Sequence, residues 1–238
     1  MELQKQSDPI SVGALLSQLH QRGTMRERFK LPFSQEDAHK FLLQAIQSEV
    51  QYRGKDFVMT RELYALTYNL AKWLTEDSHY FGYMMCGLCG NGKTTVVKAL
   101  RTLLDKINIR DDYNKQWELR MFDAKALCRM AITDEDRFNS LCYERMLAID
   151  DLGCEPLEVQ CYGNIYTPVI DLLTRRYDRQ LFTIVTTNLT PQEIRPRYGD
   201  RIADRFNEMM RCIIFKNDSF RIPDKSADSL SDDSVPQL

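Results

Sequence analysis

Residues 87–94 have the composition and spacing of a loop that binds phosphate. Their sequence, GLCGNGKT, matches every fixed position of the pattern Gly-x-x-x-x-Gly-Lys-Ser/Thr. Glycines let the backbone N–H groups of such a loop point at a phosphate, at the positive end of the helix that we expect to begin near Lys93. The candidate nucleotide-binding residues are Gly87, Gly90, Asn91, Gly92, Lys93, Thr94 and Thr95.

A second group of polar residues follows apolar strands further along the chain. Asp150 and Asp151 end the apolar run 146–149. An acid at the tip of a strand beside a phosphate loop can hold Mg²⁺, so we assign Thr94 and Asp150 to the metal. Asp151 would then polarise the attacking water as a general base. Asn188 ends a later strand and would hydrogen-bond that water or the γ-phosphate, although Asn there also suits a helix cap.

Arginines are concentrated near the end of the chain, where they could supply charge to phosphoryl transfer or bind nucleic-acid backbone. They are Arg195, Arg197, Arg201, Arg205 and Arg211. Asp200, Asp204 and Glu208 lie among them, so an ion-paired surface helix is an open alternative. A second candidate surface for single-stranded DNA combines Arg175, Arg176 and Arg179 with Tyr177.

The elements that would position these residues are strands alternating with helices. The hydrophobic pattern predicts strands at 80–86, 117–122, 145–149, 181–187 and 212–215, and helices at 93–107, 167–179 and 201–210. Such alternation predicts a parallel sheet covered on both faces. Before it, apolar stripes predict three helices, the second opening at Ser34 and the third at Thr60. These stripes either pack within the chain or form an arm that binds a partner.

Composition excludes several classes of protein. The 238 residues carry 32 Lys and Arg against 34 Asp and Glu, a net charge of −2, so the chain is not a strongly basic nucleic-acid binder. No apolar run approaches the roughly 20 residues of a membrane span, and the N-terminus lacks a signal-peptide core. Seven cysteines, an odd number, indicate reduced thiols, so we expect a cytoplasmic protein with no membrane partner.

The motifs in this order resemble those of the AAA+ ATPases of the DnaC/IstB group, which are bacterial helicase loaders and transposition helpers. The resemblance covers residues 80–217 and rests on residues 87–94, LAIDDLG at 147–153, VTTNL at 185–189 and YGDRIADRF at 198–206. It implies an α/β P-loop NTPase fold: a parallel five-stranded sheet with helices on both faces and no C-terminal helical lid.

The resemblance also assigns roles to individual residues. It implies that Lys93 and Thr94 belong to Walker A, Asp150 and Asp151 to Walker B, and Asn188 to sensor 1. Arg205 matches an arginine finger that reaches the ATP of a neighbouring subunit, and Arg201 is a weaker candidate for that role. Asp151 stands where most AAA+ proteins have Glu, and its shorter reach predicts slow hydrolysis. The absence of an Asn-Lys-x-Asp guanine motif favours ATP over GTP.

We therefore expect a helical N-terminal arm at residues 1–58, an AAA+ core at 59–223 and a disordered acidic tail at 224–238. The expected function is an ATP-binding and hydrolysing helicase loader in DNA replication, with ATP and Mg²⁺ as cofactors. Its expected partners are single-stranded DNA, a replicative helicase and further copies of itself in an active homo-oligomer. Alternatives are an IstB-like transposition helper with a transposase partner, a small-molecule P-loop kinase, and a DNA-binding adaptor that uses ATP only structurally.

Overall fold

The computed structural model describes residues 11–21, 28–215 and 220. Its strands are β1 (Gly82–Gly87), β2 (Leu119–Asp123), β3 (Met146–Leu152), β4 (Val159–Cys161), β5 (Asn164–Tyr166), β6 (Phe182–Thr187) and β7 (Met210–Phe215). Five of them form a parallel sheet in the order β2-β3-β6-β1-β7, while β4 and β5 form a separate antiparallel hairpin. The predicted five-stranded parallel sheet is confirmed, whereas the hairpin was not predicted.

The helices in the described residues are α1 (Val12–Gln21), α2 (Gln35–Tyr52), α3 (Arg61–Thr75), α4 (Lys93–Ile107), α5 (Ala124–Thr133), α6 (Glu135–Cys142), α7 (Pro168–Asp178), α8 (Pro191–Tyr198) and α9 (Asp200–Met209). The predicted bounds of α4 are correct, but α5, α6 and α8 were not predicted. Across this described part of the chain, no helix has the length and hydropathy of a membrane span.

Side chains that alternate along β1 face two separate hydrophobic cores. Tyr83 and Met85 of β1 pack in a core with α2, α3 and α4. Met84 follows Tyr83 and Cys86 follows Met85, and both pack in a second core with α5 to α9. Because successive side chains of a strand point to opposite faces, this division shows that helices cover the sheet on both sides.

The second and third predicted helices pack within the chain. Ser34 caps α2 and accepts a hydrogen bond from the backbone N–H of Asp37 at 3.1 Å. Leu42 and Ile46 on the apolar stripe of α2 are buried in the core shared with α3 and α4. The division of function at residue 58 stays a prediction, but α2 is not a free-standing arm. The acidic tail expected at residues 224–238 lies outside the described residues.

The apolar side chains of α1 differ from those of α2 in their exposure. Val12 is 73% exposed and Leu15 is 45% exposed. These two residues are three positions apart, so they lie on one face of α1. The apolar face of α1 is therefore exposed, whereas the apolar stripe of α2 is buried.

One residue of the expected DNA-binding surface is part of the core. Arg176 is fully buried, and its guanidinium donates hydrogen bonds to Thr183 Oγ1 at 2.9 Å, Phe182 O at 2.6 Å and Glu144 O at 2.8 Å. Burial lowers the pKa of Arg176 to about 9. The prediction that Arg176 contacts DNA is wrong, because its donors face the start of β6 and the segment before β3. Exposed Arg179 lies over the ring of Tyr143 instead.

Substituting Arg176→Ala is expected to lower the free energy of unfolding by about 2–4 kcal/mol, because it leaves buried acceptors without a donor. The matched variant Arg179→Ala removes an exposed arginine near the same helix end and is expected to cost less than about 1 kcal/mol. Urea unfolding followed by circular dichroism measures both. Equal losses in the two variants would contradict the structural role of Arg176.

Candidate nucleotide-binding site

The predicted site residues meet at one edge of the sheet. The strands β3, β6 and β1 are neighbours in the sheet and run parallel, so their carboxyl ends lie together. Asp150 and Asp151 belong to the end of β3, Asn188 follows β6, and Lys93 begins α4 after the loop that leaves β1. The crevice at the carboxyl edge of such a sheet is where α/β proteins bind ligands.

The loop between β1 and α4 depends on glycine at two positions. Gly92, the residue before α4, has φ of 93°, a left-handed conformation that favours glycine. At Gly87 a Cβ atom would lie 2.5 Å from Asn91 Nδ2 and 2.7 Å from Phe215 O, so there is no space for a side chain. The backbone can therefore turn tightly and present the N–H groups at the start of α4.

The ammonium of Lys93 lies in a buried cage of oxygen atoms. Lys93 Nζ is 2.8 Å from Gly87 O, 2.8 Å from Leu88 O, 3.0 Å from Asn91 Oδ1 and 3.1 Å from Asn188 Oδ1. Burial lowers the pKa of Lys93, while neighbouring acids, Asp151 among them, oppose that shift. Four oxygens share three ammonium protons, so a phosphate oxygen can replace one of them without leaving the charge unpaired.

The contact between Lys93 and Asn188 bears on the two roles considered for that asparagine. The residue at the cap of α8 is Thr190, whose backbone N–H donates to the Glu193 carboxylate at 2.7 Å. Asn188 instead directs its side-chain oxygen to the phosphate-loop lysine. Its position therefore suits contact with a γ-phosphate or with attacking water.

Thr94 and Asp150 provide adjacent oxygen donors. Thr94 Oγ1 donates to Asp150 Oδ1 at 3.0 Å, and Thr186 Oγ1 donates to the same carboxylate oxygen at 2.5 Å. Mg²⁺ in phosphate sites prefers oxygen ligands and takes only one or two from the protein, the others coming from phosphates and water. The hydroxyl of Thr94 and the carboxylate of Asp150 fit that requirement. Thr186 positions the carboxylate and was not predicted.

Asp151 occupies an irregular point of β3. Its φ is 53°, and the pairing of β3 with β6 shifts register between Ile149 and Leu152. The backbone N–H of Asp151 donates to Thr186 Oγ1 at 3.0 Å. Bulges next to active sites re-aim side chains, and Asp151 is exposed and lines the cavity above the phosphate loop.

A buried glutamate supports the loop that follows Asp151. Glu155 accepts hydrogen bonds from the backbone N–H of Gly153 at 2.7 Å and from the hydroxyl of Tyr198. Arg197 donates to the backbone oxygen of Glu155. Burial and the bond to Glu155 raise the pKa of Tyr198, which keeps the phenol protonated. Arg197 and Tyr198 therefore hold α8 against this loop, and Glu155 was not predicted.

The cavity over the phosphate loop has a volume of about 850 Å³, within the range of small-molecule sites. One wall is formed by the predicted residues Gly90, Asn91, Gly92, Lys93, Thr94 and Thr95, together with Asp151 and Asn188. The rest of the lining includes the apolar residues Ile46, Val50, Phe57, Val58, Leu63 and Phe220 and the charged residues Arg53, Lys55 and Asp56. The lining thus combines polar groups that suit phosphates with apolar surface that suits a nucleotide base.

Arg205 does not belong to the described lining of this cavity. Its guanidinium pairs with Asp178 at 3.3 Å and lies 4.8 Å from the ring centroid of Tyr177, and its side chain is 13% exposed. Arg201, one turn earlier on α9, is exposed. Neither arginine is therefore placed to act on a nucleotide in its own cavity.

The ion-paired alternative holds for part of the arginine cluster. Arg195 pairs with Asp200 and with Asp204, the second at 2.8 Å. Glu208 accepts a hydrogen bond from the hydroxyl of Tyr177 rather than from an arginine. Asp200 and Asp204 therefore neutralise Arg195, and Glu208 links α9 to α7.

Comparisons with known proteins place the fold. No family model matches the chain, and no curated protein matches it. The crystal structure of the DnaC helicase loader has a TM-score of 0.51 at 20% identity, over 67% of this chain and 93% of that chain. That of DnaI has a TM-score of 0.52 at 17% identity, over 80% and 95%. The chain has a DnaC-like AAA+ fold.

A replication initiator is a third solved structure with a similar fold. DnaA bound to AMPPCP and single-stranded DNA has a TM-score of 0.50 at 16% identity, over 75% of this chain and 50% of that chain. The predicted fold class is therefore confirmed, and similarity at these identities concerns the fold alone.

ATP with Mg²⁺ is expected to protect Cys89 and Cys154 from alkylation, because both exposed thiols line the cavity. At a ligand concentration ten times Kd, the rate of labelling by iodoacetamide should fall about tenfold. Burial and Asp151 raise the pKa of Cys154, so labelling is measured near pH 9 by peptide mass spectrometry. Cys161 on β4, outside the lining, is the internal control. Unchanged labelling at both cavity thiols would place the nucleotide elsewhere.

Proposed function

We propose that the chain is an ATP-binding and hydrolysing AAA+ protein that loads a replicative helicase onto single-stranded DNA. The observation that carries the proposal is the convergence of Lys93, Asp150, Asp151 and Asn188 at one sheet edge beneath a nucleotide-sized cavity. Their arrangement supplies a cation, a metal-binding carboxylate, a general base and an amide in one place. The likeness in fold to the DnaC helicase loader supports the choice of process and partner.

Each side chain of the site has a separate role in the proposed hydrolysis. Lys93 and the N–H groups of the loop bind the β- and γ-phosphates, and Thr94 and Asp150 hold Mg²⁺. When bound, Mg²⁺ neutralises charge on those phosphates. Asp151 polarises the attacking water, and Asn188 orients it beside the γ-phosphate.

The proposed active form is a homo-oligomer in which Arg205 serves a neighbouring subunit. The position of Arg205 outside the lining of its own cavity supports an action in trans. To reach another subunit, its guanidinium must leave Asp178 and the ring of Tyr177. Exposed Arg201 needs no such rearrangement, so the two arginines are tested side by side.

Steady-state ATP hydrolysis is expected to rise more than proportionally with protein concentration and to change when single-stranded DNA is added. Arg205→Ala and Lys93→Ala should each be nearly inactive, because one lacks the finger and the other lacks the phosphate lysine. Mixing them should restore activity, since a mixed interface combines an intact cavity with an intact finger.

The controls for this experiment separate the competing functions. If mixing with Lys93→Ala restores the activity of Arg201→Ala but not that of Arg205→Ala, then Arg201 is the arginine finger. A specific activity that is independent of concentration and of DNA would contradict the loader and favour a small-molecule kinase. Loss of turnover in Asp151→Asn with nucleotide binding retained would exclude an adaptor that uses ATP only structurally.

The proposed binding surface for the helicase is the exposed apolar face of α1. The double substitution Val12→Glu and Leu15→Glu is expected to weaken binding of a replicative helicase at least about tenfold, because it places charge in an apolar contact. Affinity is measured by biolayer interferometry, and nucleotide affinity should not change. Tyr52→Glu, which alters an aromatic residue that is 89% exposed on α2, is the matched control. Equal helicase binding by all three proteins would exclude α1 as the contact.

A further inference from the structure

Two thiols lie in contact beside the phosphate loop. Cys86 of β1 and Cys212 of β7 are on neighbouring parallel strands, and the register places Met84 opposite Cys212. Cys86 is two positions beyond Met84 and therefore shares its face of the sheet. The two sulfur atoms are 3.6 Å apart, which makes them a hydrogen-bonded pair.

The two thiols differ in access and in acidity. Cys86 is 1% exposed, whereas Cys212 is exposed on β7, the edge strand of the sheet. The hydrogen bond between the two sulfur atoms lowers the pKa of Cys212 and, together with burial, raises the pKa of Cys86. The accessible thiol is therefore also the one more readily converted to the nucleophilic thiolate.

We propose that Cys86 and Cys212 form a reversible disulfide when the protein meets a peroxide. The Cys212 thiolate attacks one oxygen of hydrogen peroxide, breaks the O–O bond and becomes a sulfenic acid as hydroxide leaves. The Cys86 sulfur then attacks the Cys212 sulfur, and the sulfenic oxygen leaves as water. The two thiols lose two hydrogens in total, the peroxide is reduced to two waters, and a thiol reductant reverses the change.

The disulfide would act on the nucleotide site because the strands it joins hold the phosphate loop. Cys86 is followed by Gly87, which has no space for a Cβ atom against Phe215 at the end of β7. Asn91 of the loop donates to Phe215 O at 3.4 Å. A disulfide bond of about 2.05 Å draws the sulfur atoms together from their present contact, and the packed residues beyond them must shift. This part of the inference rests on the proposed nucleotide site.

The test exposes the purified full-length protein to hydrogen peroxide and maps its thiols by mass spectrometry without reduction. The expected product is a linked pair of Cys86 and Cys212 peptides, with a loss of about 2 Da that a thiol reductant reverses. Cys212→Ser should give no such link. Cys161→Ser, which removes a half-buried thiol on the hairpin, should give the same link as the unmodified protein.

Nucleotide affinity is then measured before oxidation, after oxidation and after reduction, using a fluorescent ATP analogue. Oxidation is expected to raise Kd about tenfold in the unmodified protein, equivalent to about 1.4 kcal/mol, and to leave Cys212→Ser unchanged. Absence of the linked peptides would overturn the disulfide. A disulfide that forms with unchanged Kd would overturn its effect on the loop, and failure of the reduced protein to bind nucleotide would instead overturn the proposed function.

Discussion

The buried ammonium of Lys93 is the constraint on which the rest of the site depends. A buried cation must be surrounded by acceptors, and here they come from the loop after β1 and from Asn188 after β6. Satisfying it therefore fixes the loop, the start of α4 and the end of a neighbouring strand at once. The charge requirement of one side chain therefore joins these elements at the candidate site.

Two other buried charged residues hold the framework around that centre. Arg176 ties α7 to the start of β6 and to the segment before β3, and Glu155 ties α8 to the loop after Asp151. Neither is placed to contact a nucleotide, yet each limits how far a strand that carries site residues can move. Polar contacts thereby link the helices on one face of the sheet to the strands and loops that carry the candidate site residues.

The sequence predicted what depends on local spacing. The phosphate loop and α4 follow from glycine and lysine positions, and the parallel sheet follows from alternating strands and helices. The helices α5 and α6 were missed, although Asp123 and Asp134 cap them. The apolar residues of the cavity lining and the burial of Arg176 could not be predicted, because residues distant in sequence come together to form both environments. Three arginines close together in sequence suggest a basic surface, but tertiary packing buries one of them here.

The left-handed backbone at Asp151 has a consequence for which acid can stand there. Asp and Asn adopt positive φ far more readily than longer acidic residues, because their short polar side chains bond locally. The bulge that aims this carboxylate at the cavity thus also selects aspartate over the glutamate found in most AAA+ proteins. Residue choice at this position reports backbone shape as much as chemistry. A search pattern that requires Asp-Glu at the strand end would therefore miss a chain with this backbone conformation.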